Sequence, residues 1–86
     1  MNTTKNYQLR QAAGAYWLIR MDQRRFDYEK PIMLNEAGAM IWKQYMQGQT
    51  EKEIAASLQE TYGIDAREAY QDVQQFIRRL REQGII

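Results

Sequence analysis

The residues able to do covalent or acid–base chemistry in this chain are few, and their positions suit helix ends better than reactions. Histidine and cysteine are absent. Their absence removes thiolate and imidazole nucleophiles, disulfides, the commonest general base and the commonest zinc ligands. Ser57 is the only serine. It falls inside an expected helix with no base nearby to activate it. Carboxylates remain, but Glu53 and Glu68 each stand three residues after a capping type, Thr50 and Asp65. At that spacing a carboxylate satisfies free N–H groups at a helix start. The five glycines never reach the spacing of a phosphate-cradling loop. These residues predict a protein without catalysis and without a metal or cofactor of its own, acting through a surface.

Which surface that is depends on the elements. A chain of 86 residues buries about 60–65% of its unfolded surface, so it supports one compact core. An apolar share of 44% is enough to fill it. Twelve basic and eleven acidic residues leave a net charge of +1, which disfavours a general polyanion binder. The longest apolar run, Ala37 to Trp42, is far short of a membrane span. Met1 to Asn6 holds no hydrophobic stretch to act as a signal. The expectation is a cytoplasmic protein with a flexible N-terminus over residues 1–6 and a single domain over 7–86.

The apolar pattern changes character near Leu34. Tyr7 to Ala12 alternates, Ala13-Gly14 reads as a turn, and Ala15 to Met21 is rich in aromatic and branched residues. Asp22 to Arg25 offers turn chemistry, and Phe26 to Lys30 reads either as a strand start or as a loop. Pro31 to Leu34 is assigned to a third strand, and a proline at its head points to a sheet edge. Helical signals follow. Asn35 caps a helix to about Met46, Thr50 opens a second that stops at Gly63, and Asp65 opens a third to about Gln83. The order predicts an α+β domain, a three-stranded antiparallel meander followed by three helices, the last two forming a helix-turn-helix.

At about 100° per residue, Val73, Phe76 and Leu80 fall within about 40° of Ala69 and define the buried stripe of the last helix. Tyr70 and Ile77 widen it on one side, bordered by Gln74, Arg78 and Arg81. That one-sided shoulder is expected to wall a groove. On this reading Ile77→Asp folds but loses its ligand. Arg78, Arg79 and Arg81 also admit a winged-helix DNA-binding regulator. Glu68, Asp72 and Glu82 on the same helix leave it few phosphate contacts to offer.

The ordered segments resemble the PqqD-like family. Pro31 to Trp42 resembles its strand, Leu-Asn-Glu and helix signature, and Gly48 to Ile54 its Gly-x-Thr-x-x-Glu-Ile helix opening. Tyr62-Gly63-Ile64-Asp65 resembles its connector, and Asp72 to Leu80 with Gly84-Ile85-Ile86 its closing pattern. The resemblance implies a winged helix-turn-helix-like fold that binds the leader segment of a ribosomally made precursor peptide. Such a protein presents the peptide to a modifying enzyme such as a radical-SAM maturase. It also implies that the leader adds as a strand to the third strand, beside the third helix. The expected peptide site is then Pro31, Ile32, Met33 and Leu34, with Tyr70, Gln74, Ile77, Arg78 and Arg81 from the angular argument. No membrane and no cofactor enter this expectation, nucleic acid is disfavoured, and a monomer and a swapped dimer both stay open. Asp27-Tyr28-Glu29-Lys30 stands where quinone-cofactor members tend to carry a Pro-Glu-Gly-like turn, which favours a peptide from another pathway.

Overall fold

The computed structural model describes residues 7–21 and 30–86. Strands β1 (Tyr7–Ala12), β2 (Ala15–Arg20) and β3 (Ile32–Leu34) precede helices α1 (Glu36–Met46), α2 (Glu51–Tyr62) and α3 (Ala66–Glu82). This is the α+β order expected from the sequence. The N-terminal segment 1–6 lies outside the described residues, as do Asp22 to Glu29 with the turn and the alternatives read there.

The strands form one antiparallel sheet in the order β1-β2-β3. Ala13 and Gly14 join the first two with φ of 53° and 76°. Positive φ at both positions gives the turn whose twist matches paired strands, and Ala13 takes it without glycine's freedom. β3 pairs with β2 through only three residue pairs, Ile32 with Leu18, Met33 with Trp17 and Leu34 with Tyr16. Its ladder begins one residue later than the apolar run, because Pro31 has no N–H to contribute.

Side-chain caps start all three helices. Asn35 Oδ1 accepts from the Gly38 N–H at 2.7 Å, and Asp65 Oδ1 from the Glu68 N–H at 2.7 Å. At α2 the cap is reciprocal. The Glu53 N–H donates to Thr50 Oγ1 at 3.2 Å, and the Thr50 N–H donates to Glu53 Oε1 at 2.8 Å. Those bonds, the backbone one foremost, hold the Glu53 carboxyl below the usual glutamate range. Ser57 donates its hydroxyl to the Glu53 carbonyl at 3.2 Å. Both residues are thus occupied in helix α2.

Two clusters share the interior. Ile41, Ile54, Ala55, Leu58, Ala69, Val73 and Ile77 fill the space among the helices. Leu18, Leu34, Trp42, Leu80 and Ile85 join the sheet to α1, the end of α3 and the C-terminal residues. Phe76 and Ile86 pack against both clusters. Phe76 therefore stands where the helical half meets the sheet half, and that seam is where the surface opens.

Candidate functional site

β3 is the last strand of the sheet, so one side of its backbone has no strand beside it among the described residues. Such an edge presents unpaired N–H and C=O groups to any incoming chain. Next to it lies a cleft of about 390 Å³. Met33 and Leu34 border it from β3, Asn35, Ala37, Gly38 and Ile41 from the start of α1, and Asp72, Gln75, Phe76 and Arg79 from α3.

The floor is apolar and fixed. Leu34 and Ile41 are buried and Phe76 is half-buried. Gly38 sets the depth, because a Cβ there would lie 3.0 Å from Phe76 Cε2 and 3.1 Å from the capping oxygen of Asn35. Only glycine lets the ring lie this close to the first turn of α1. The rim is of another kind. Met33 is 64% exposed, and Asp72, Gln75 and Arg79 are all exposed. An apolar bed beside an open strand edge, with polar groups along the facing helix, suits an extended polypeptide.

Two other hollows lack this combination. One of about 410 Å³ is bordered by Tyr16, Lys43, Gln44 and Tyr62, with Lys43 Nζ 5.6 Å from the centre of the Tyr16 ring. Its strand residue, Tyr16, already pairs on both sides, with Gln11 and with Leu34. The other, of about 280 Å³, lies between α2 and α3 against Ala55, Ala66 and Tyr70. Among the described residues no group of three His, Cys, Asp or Glu could hold a metal ion. No helix among them is long and apolar enough to cross a membrane.

The strand residues expected at a site fall as follows. Met33 and Leu34 border the cleft, while Pro31 and Ile32 are half-buried on the approach to it. The helix residues need correction. Ile77 is only 3% exposed and belongs to the cluster among the helices, so it is core and not groove wall. Tyr70 faces the hollow beside α2. Gln74, Arg78 and Arg81 are exposed, and none of them borders the cleft. The physical reason is that the wider apolar side of α3 turns toward α2, which needs apolar cover. The cleft uses the opposite side. On the same angular scale Phe76, Asp72, Arg79 and Gln75 lie at about −20°, −60°, −80° and −120°. One sequence signal pointed there: Gly38 inside a capped helix, a place where glycine costs stability unless something must come close.

The family model for coenzyme PQQ synthesis protein D (PqqD) matches residues 18–86. The chain belongs to the PqqD family. The matched span takes in β3, all three helices and every residue that borders the cleft. No curated protein matches. Two solved structures share the fold, each with a TM-score of 0.76. "Lasso peptide synthetase B1 complexed with the leader peptide" is 20% identical, over 92% of this chain and 87% of that one. "TbiB1 in Complex with the TbiA(beta) Leader Peptide" is 18% identical, over 99% and 93%. At such identities the likeness speaks for the PqqD-like α+β fold alone.

Proposed function

We propose that this PqqD-family protein captures the leader segment of a ribosomally made precursor peptide and presents it to a modifying enzyme. The observation that carries the reading is the open edge of β3 lying against an apolar-floored cleft. The guest adds as a fourth strand along Pro31, Ile32, Met33 and Leu34 and lowers alternate side chains onto Leu34, Ile41 and Phe76. That both similar structures are complexes with leader peptides supports it.

Magnitudes say what the cleft must contribute. A three-residue strand offers about two to four backbone bonds to a neighbour, at about 0.5–1.5 kcal/mol net each. A micromolar complex needs about 8 kcal/mol beyond the cost of association. Backbone pairing alone falls short. One or two buried leucine-sized side chains add about 1.5–3 kcal/mol each, so apolar leader residues are required.

The protein does no chemistry in this reading and works in the cytoplasm. The enzyme it serves is of the radical-SAM type. A DNA-binding role has weaker support, since the exposed Arg78 and Arg81 share α3 with Glu68, Asp72 and Glu82. The test is calorimetric titration with synthetic N-terminal segments of any short peptides encoded beside the gene. Saturable binding that is lost when the leader's apolar residues are changed to Ser is expected. A folded protein that binds none of them would overturn the proposal.

A further inference from the structure

The charges around the cleft are not scattered. Its β3 and α1 sides present Met33, Leu34, Ala37, Gly38 and Ile41, with Asn35 the one polar side chain. Among the described residues both of its charged side chains come from α3, Asp72 four positions before Phe76 and Arg79 three positions after it. Helix-dipole complementarity accounts for acids near the start of α3 and arginines near its end. It does not account for one of each facing the same cleft, when Glu68, Arg78, Arg81 and Glu82 lie outside it.

Spacing turns this into a pattern. Asp72 and Arg79 are seven positions apart, about 10.5 Å along a helix. Phe76 lies about 6 Å from the first and about 4.5 Å from the second on that axis. In an extended guest, side chains on one face recur about every 6.6 Å, and every fourth residue about 13 Å apart. In a guest strand running along α3, a residue seated on Phe76 therefore has its same-face neighbours close to the levels of Asp72 and Arg79. The long arginine side chain spans the remaining few ångströms.

We propose that the cleft selects an extended peptide reading charged–x–apolar–x–oppositely charged. The apolar side chain sits on Phe76, the basic one faces Asp72 and the acidic one faces Arg79. This rests on the peptide-capture reading above and gives it a substrate class: a leader with a central apolar residue between an acid and a base, each two positions away. Whether the acid or the base comes first reports the direction of the guest strand.

The test is selection from a displayed library of random 12-residue peptides, on the wild-type protein and on two variants of these exposed positions. Arg79→Glu makes both ends of the cleft acidic, and Asp72→Arg makes both basic. The wild type is expected to enrich an acid and a base flanking an apolar residue at this spacing. Arg79→Glu is expected to enrich a base on both sides, and Asp72→Arg an acid on both sides. Neither outcome can be reproduced by a peptide that merely reverses its direction. A synthetic peptide of the wild-type pattern should bind Arg79→Glu at least tenfold more weakly. Enrichment of apolar residues with no response of the flanking charges would overturn the charge pattern and leave peptide capture standing. Folded proteins that enrich nothing would overturn both.

Discussion

The two flanks of α3 carry similar numbers of large side chains and do opposite things. On one flank Ile77 and Val73 are buried against α1 and α2, and Tyr70 closes over the α2 side. On the other, Phe76 is left half-covered, with Asp72, Gln75 and Arg79 beside it. The flank with more apolar surface is the one the fold consumes. What stays open for a ligand is the flank with less, because an apolar side left uncovered in the free protein would be filled by its own chain. A binding groove in so small a domain is therefore marked by a single aromatic residue among polar ones, not by the widest apolar shoulder.

The strongest way to break this contrast is Ile77→Asp. A charge placed in a position 3% exposed costs about 4–5 kcal/mol or more, against about 5–15 kcal/mol for a whole domain. Circular dichroism is expected to show loss of the cooperative thermal transition. A folded Ile77→Asp protein would return that flank to the ligand.

Gly38→Ala probes the open flank. Its Cβ would crowd the Phe76 ring and the capping oxygen of Asn35, while the helix gains about 1 kcal/mol in propensity. Stability is expected to shift by less than about 1 kcal/mol while affinity for a bound leader falls. Unchanged affinity in calorimetry would separate the Phe76 floor from binding.

The closed flank also depends on α2 being held in place by its cap. Thr50→Ala is expected to cost about 1 kcal/mol in chemical denaturation. The partner effect is pH-dependent. Because folding lowers the Glu53 carboxyl's pKa, its contribution is complete above the usual glutamate range and is lost as pH falls through the folded value. The stability gap between wild type and Glu53→Gln should accordingly narrow as melts are taken from pH 7 toward pH 3. The smallest effect belongs to Gln74→Ala, Arg78→Ala and Arg81→Ala, all exposed. Each is expected to stay within about 0.5 kcal/mol in stability and to leave leader affinity unchanged.

Much of the fold was legible because its signals are local. Asn35, Thr50 and Asp65 announce helix starts through side chains that reach only three residues ahead, and Ala13-Gly14 announces a turn through two residues. Pro31 announced the edge strand for the same reason, its missing N–H. The side of α3 that faces β3 is a different kind of fact. Helical periodicity gives the buried stripe from Ala69 to Leu80, but not which of its two borders faces β3. The choice between them is made by where α2 packs, which no spacing within α3 encodes. Phe76 was read as core for the same reason: it packs against two clusters, and only their meeting leaves it half-covered.

The central claim is that a guest backbone joins β3 over the Phe76 floor. Amide hydrogen exchange followed by NMR, with and without a bound leader peptide, tests it most directly. New protection within Ile32–Leu34, together with shifts of the Phe76 ring, is the expected result. Protection along the other sheet edge, Tyr7–Ala12, or shifts centred on Arg78 and Arg81 with β3 unchanged, would contradict it.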